Sequence, residues 1–167
     1  MITETFEQYT ARLLSLSAGA DPFDILRSTP AAIAGWIGGR GAAELQRSPG
    51  SGRWSVAQIV AHLADSEIVF AYRVRMILAA SGTAIQAYDQ DAWSRAQHAE
   101  ASDAQHSLAL FTAIRESMVR LLRGLTDEEL ERYGMHSERG RESVRHLLAL
   151  YAGHDRNHLA QIERLLT

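Results

Sequence analysis

One helix constrains this chain more than any other stretch: Arg141 to Leu166, which carries Tyr151-Ala-Gly-His-Asp-Arg-Asn-His-Leu-Ala-Gln161. Val144, Leu147, Leu148, Tyr151, His154, His158, Ile162 and Leu165 recur at steps of three and four, an apolar stripe that should face a protein interior. Two histidines, His154 and His158, fall inside that stripe one turn apart, so both rings project from the same inward face. A pair of buried neutral imidazoles needs a proton donor, an acceptor or a metal cation. The pair alone leaves these alternatives open.

The rest of the chain reads as further helices. Ile2 to Ser17 is a short amphipathic segment offering Phe6, Leu13 and Leu14 for burial. Asp21-Pro22 reads as an N-cap followed by proline at the first helical position. That helix carries Pro30, which predicts a kink or break near Ser28-Thr29. Glycines and Pro49 mark a loop over Gly38–Gly52, with room for a helical turn at Ala42–Gln46. Ser55 and Gln58 form a capping-box pattern opening a long helix to about Ala80, with Trp54 placed to staple onto Ile59. Its stripe is Val56, Ile59, Val60, Leu63, Phe70, Val74, Ile77 and Leu78, and it contains an unusual carboxylate, Glu67. A loop through Tyr88–Trp93 follows. A third long helix spans about Ala101–Gly124, then Thr126 opens a short capped turn, and Tyr133–Gly140 links into the last helix. No useful strand-like alternation stands out. The pattern predicts one all-α domain over residues 1–167, a four-helix bundle with a short extra N-terminal helix.

Two histidines at i and i+4 make a sound metal chelate, though Asp155, Arg156 and Asn157 between them lack the glutamate of the zinc metalloprotease signature. Cysteine is absent, which excludes thiolate ligands, disulfides and a cysteine nucleophile. The alternative to a chelate is a pair of partly buried histidines hydrogen-bonded to neighbours. A third ligand from another helix would favour a metal, and His62, beside the stripe of the second long helix, is the best candidate. His98 and His106 sit among polar residues, His136 in a loop and His146 off the stripe, and all four read as structural or solvated. Glu67 and Asp65 are the nearby carboxylates that could serve as a general base. The alternative for Glu67 is an ion pair with Arg73 or Arg156, and for Asp65 an exposed position. Gln161 could support His158 from behind.

The net charge of −3, with no lysine and 17 scattered arginines, gives no polyanion-binding surface and argues against nucleic acid. No apolar run is long enough for a membrane span and no export signal is evident. A cytoplasmic location is the default expectation.

Three segments together, Arg53-Trp-Ser-Val-Ala-Gln-Ile-Val-Ala-His62-Leu-Ala-Asp-Ser-Glu67, Tyr88-Asp-Gln-Asp-Ala-Trp93 and Gly153-His154-Asp-Arg-Asn-His158-Leu-Ala-Gln161, resemble the DinB-like superfamily. The closest branch is that of the YfiT-type metal-dependent hydrolases and bacillithiol transferases. The resemblance covers about Asp21 to Leu166. It implies a four-helix bundle holding one divalent metal through His62, His154 and His158, in a family whose members are often homodimers. Three imidazoles leave positions open for water or substrate. Zinc and nickel suit such ligands best, with iron or manganese as alternatives. The expected reaction is transfer of a low-molecular-weight thiol to an electrophilic small molecule. The alternatives are a hydrolase that attacks with metal-activated water, or a non-enzymatic metal-binding stress-response bundle.

Overall fold

The computed structural model describes residues 4–167. Helix α1 (Phe6–Ser17) is followed by α2 (Pro22–Ile37), the single turn α3 (Ala42–Leu45) and α4 (Val56–Ala79). Strand β1 (Thr83–Ile85), the short α5 (Gln90–Ala96), α6 (Ala104–Arg123) and the turn α7 (Asp127–Leu130) come next. Strands β2 (Tyr133–His136) and β3 (Gly140–Ser143) lead into α8 (Val144–Leu166). The four long helices α2, α4, α6 and α8 pack as a bundle in which α8 touches both α2 and α4, and α6 closes the ring between them. Helix α1 lies outside this ring, against α8.

The expected starts hold where capping chemistry defines them. Asp21 accepts from the Phe23 amide, Ser55 and Gln58 form their reciprocal pair, and Thr126 does the same with Glu129. Helix α1 begins at Phe6 behind Thr5; Ile2 lies outside the described residues. Helix α8 begins at Val144 rather than Arg141, because Arg141 to Ser143 belong to a strand.

Other expectations fail as well. The loop through Tyr88–Trp93 is partly helical, since Asp89 accepts from the amides of Asp91 and Ala92 and caps α5. Pro30 does not break α2, which runs through it from Pro22 to Ile37. Proline removes the N–H that would have bonded the carbonyl four residues back, Leu26. That oxygen accepts instead from Arg115 Nη1 of α6 at 3.0 Å. The hydroxyls of Ser28 and Thr29 also donate to the carbonyls of Asp24 and Ile25. The open turn is therefore satisfied by side chains.

The linker into α8 is a β-hairpin. Strand β2 pairs antiparallel with β3 and parallel with β1, a three-stranded sheet in the order β1-β2-β3. The sheet is small and the architecture remains a helical bundle.

The core divides into two apolar clusters. One gathers Phe70, Val74 and Ile77 of α4 with Met118 and Leu122 of α6 and Leu147 and Tyr151 of α8. The other gathers Val56, Ile59 and Leu63 of α4 with Leu108 and Phe111 of α6 and Ile162 of α8. Between them, on the same three helices, buried polar groups interrupt the core: His62, Ser66 and Glu67; Arg115; and His154, Asp155 and His158. Burying this many polar groups is costly unless each finds a partner.

Candidate metal centre

The histidines predicted from three separate positions meet in this polar band. His62 Nε2 lies 3.0 Å from His154 Nε2, and His158 Nε2 lies 3.1 Å from the same atom. All three rings are buried. Burial lowers the pKa of His62 well below the usual histidine range, and the neighbouring His158 adds to this. His154 is likewise held far down, by burial first and then by His158, His62 and Arg115. His158 is lowered to about 4, again chiefly by burial, against the opposing pull of Gln161 and Asp155. The rings are therefore neutral, and neutral imidazole is the form that binds metals.

Tautomers matter here. His158 Nδ1 lies 3.0 Å from Gln161 Oε1, so Nδ1 carries the proton and donates it, leaving a lone pair on Nε2. His154 Nδ1 has no partner among the described residues. Three facing nitrogens cannot all be satisfied by one another's protons. One cation satisfies them together, and nitrogens bonded to one zinc at about 2.0–2.1 Å stand roughly 3 Å apart or slightly more. The donor set fits a divalent ion.

The surroundings hold these rings in place. The Trp54 ring lies 5.0 Å from that of His62, covering it. Ser66 Oγ sits 3.4 Å from His62 Nε2 and 2.7 Å from Tyr88 Oη, so the Tyr88–Trp93 segment reaches the site through a hydroxyl pair. Next to His154 on α8, Asp155 takes both terminal nitrogens of Arg115, at 2.5 and 3.1 Å.

Glu67, read from the sequence as a general-base candidate or a partner of Arg73 or Arg156, pairs with neither arginine. Its Oε2 accepts from Arg115 Nη2 at 2.7 Å, and its Oε1 has no partner among the described residues. Arg156 donates to the Leu16 carbonyl instead. Burial raises the Glu67 pKa, against the pull of Arg115. Asp65 is half-buried rather than exposed and accepts from Gln97 Nε2 at 3.1 Å.

A cavity of about 710 Å³ opens beside the histidines. His154, Ser66 and Tyr88 line it, together with Tyr9 and Leu13 of α1. Arg73 and His136 also face it. His136 is the residue that sequence reasoning misplaced: it is buried on β2 rather than lying in a loop. Alternation over Tyr133–His136, with Gly134 and His136 buried and Met135 exposed, was the available signal, too short to register. His98 and His106 are exposed as expected, and His146 is half-buried near Glu142.

These neutral histidines predict an acid-sensitive fold. Each of His62, His154, His158 and His136 has a folded pKa below its unfolded value, about 4 for the last two. Below about pH 6.5 the unfolded chain takes up protons that the folded chain refuses, so stability falls by up to ~1.4 kcal/mol per pH unit for each histidine. Glu67 and Asp65, both raised by burial, oppose this as two groups against four. Denaturant midpoints measured with chelator present should fall between pH 7 and 5. Flat midpoints would contradict the neutral-imidazole assignment.

The family model of the DinB superfamily matches residues 25–162. YfiT of Bacillus subtilis is 35% identical over 115 residues, which cover 68% of this chain and 65% of that protein, just under two thirds of its length. A relative from Oceanobacillus iheyensis, provisionally described as a metal-dependent hydrolase, is 32% identical over 122 residues, 73% of this chain and 70% of its own. The solved structure of Bacillus subtilis YfiT is described as "a probable metal-dependent hydrolase with an unusual four-helix bundle topology". It matches with a TM-score of 0.80 at 28% identity, covering 99% of this chain and 89% of that one. Family model, relatives and fold agree, and the chain belongs to the DinB superfamily.

Proposed function

We propose that this chain is a divalent-metal-dependent enzyme in which His62, His154 and His158 are the ligands and a thiol is transferred to an electrophilic small molecule. The observation that carries the reading is the convergence of three buried, neutral imidazole nitrogens, one of them on His154 in the wall of a cavity large enough for a small substrate. An ion held by three imidazoles supplies Lewis acidity and lowers the pKa of a thiol or water in its open positions. Zinc or nickel suits the donor set best.

The protein's own residues do the rest. Gln161 fixes the His158 tautomer, Trp54 shields His62, and the Ser66–Tyr88 hydroxyl pair can accept or pass a proton at the cavity wall. Thiol transfer is favoured because the nearby carboxylates already hold partners: Asp155 with both oxygens and Glu67 with one on Arg115, and Asp65 on Gln97. A thiol starts from a far lower pKa than water, about 8.5 against about 15.7, so it ionises with less help from a base. A hydrolase is the second reading, supported by the descriptions that the relatives carry.

The test is metal analysis followed by turnover. Zinc or nickel should copurify or bind at one equivalent, and the His154→Ala/His158→Ala variant should lose at least ~10-fold in affinity. Unchanged metal content in that variant would sink the ligand assignment. With 1-chloro-2,4-dinitrobenzene and a panel of low-molecular-weight thiols, the S–C bond forms as chloride leaves and the thiol proton passes to solvent. Release of chloride should depend on thiol and metal together. Ester hydrolysis without thiol turnover would favour the second reading.

A further inference from the structure

The cavity contains a second polar group that the histidine cluster does not explain. Arg73, on α4, is only 4% exposed. Its Nη2 donates to the Gln86 carbonyl at 2.6 Å, and its other close polar neighbour is His136 Nε2 at 3.4 Å. No carboxylate pairs with it among the described residues. The other charged groups lining the cavity are committed elsewhere or exposed. Glu4 pairs with Arg12, Arg139 pairs with Glu142, Asp89 caps α5, and Glu138 is exposed. A buried guanidinium without a counter-charge is expensive and calls for an anion.

The tautomer of His136 sharpens this. The backbone N–H groups of Glu138 and Arg139 both point at its Nδ1, at 3.2 and 3.3 Å. Nδ1 must therefore be the acceptor, and in the neutral ring the proton sits on Nε2. Burial, aided by Arg139, keeps the ring neutral by lowering its pKa to about 4. The 3.4 Å approach of Arg73 and His136 is then not a hydrogen bond, because both nitrogens are donors. Two donors held side by side at a cavity wall suit a shared acceptor, and one that accepts from a cation and a neutral N–H together is an anion.

We propose that Arg73 and His136 form a carboxylate-binding subsite that receives the anionic end of the ligand entering this cavity. Arg73 follows Ser66 by seven residues, two turns or roughly 10 Å along the α4 axis. Tyr88 spans the interval, with its hydroxyl on Ser66 and its ring 6.0 Å from the Arg73 guanidinium. A ligand with a carboxylate in the subsite would lie along the Tyr88 ring and reach the histidines with its far end. As an anion site the pair stands by itself; as a substrate subsite it rests on the metal-centre reading.

The test uses the zinc-loaded chain with benzoate and its uncharged analogue benzamide. Calorimetry should show benzoate binding at least ten-fold tighter than benzamide, and Arg73→Met should erase that preference while circular dichroism confirms the fold. In the unmodified protein, the imidazole ¹⁵N and proton signals of His136 Nε2 should move with benzoate and stay still with benzamide. Equal binding of the two compounds overturns the subsite. So does a silent His136, or benzoate binding that survives Arg73→Met but is abolished by His154→Ala, which would put the carboxylate on the metal. Preserved charge preference in a protein that fails to bind zinc would uphold the subsite and reject only the metal reading.

Discussion

Replacing Arg115 with methionine is expected to lower the unfolding free energy by about 3–5 kcal/mol, the usual cost of stranding buried charge. Arg115 is 2% exposed and lies between Glu67 and Asp155, each fully buried. Asp155 and Glu67 hold its pKa above the ordinary arginine value despite burial. Methionine preserves much of the volume over the Phe111 ring, which the guanidinium carbon covers at 4.5 Å, but it removes every hydrogen bond. Two carboxylates and the Leu26 carbonyl would then be left buried without donors. Against a typical domain stability of about 5–15 kcal/mol, that loss is severe. The control is the triple variant Arg115→Met/Glu67→Gln/Asp155→Asn, which removes the orphaned charges and should recover part of the deficit. A single variant within ~1 kcal/mol of the parent in denaturant titration would show that water enters and rescues the carboxylates.

Gly153→Ala is the second large effect. A Cβ at this position would lie 1.9 Å from the Leu13 carbonyl oxygen and 2.6 Å from its carbonyl carbon. The obstacle is backbone, so no rotamer change relieves it, and α1 must lift from α8. The cost should reach or exceed the upper end of the ~1–3 kcal/mol typical of overpacking. Leu13 lies in the core, and with Tyr9 it lines the cavity, so the damage extends to the binding wall. Hydrogen exchange should lose protection in α1 while α4 and α6 keep theirs. Unchanged protection in α1 would mean that the contact between these helices is looser than it looks.

Local chemistry was legible in the sequence, and long-range pairing was not. The stripe of the last helix, the capping boxes at Ser55 and Thr126 and the inward-facing histidines follow from spacing alone, because neighbours three and four apart share a helix face. Glu67 stood out as a carboxylate inside an apolar stripe, but its partner lies 48 residues away on α6, where no periodicity connects them. Arg115 itself looked like one of many scattered arginines. The strands escaped notice because segments of three or four residues carry little alternation. His136 escaped with them, since its burial comes from pairing with β1 and contact with Arg73. Pro30 misled because the rule that it breaks helices assumes that the freed carbonyl has no other donor.

That freed carbonyl has a consequence for how the bundle assembles. Most turns of a helix present the same closed backbone, so the register between two helices is set by side-chain packing alone. Pro30 makes one turn of α2 unlike the rest, and a single guanidinium on α6 recognises it. The same guanidinium grips Asp155, the residue next to His154. A helix that contributes nothing to the histidine cluster therefore acts as its ruler: α2 indexes the height at which α8 presents its rings to α4, and a slip of one turn would leave the oxygen, the cation and the acid all mismatched.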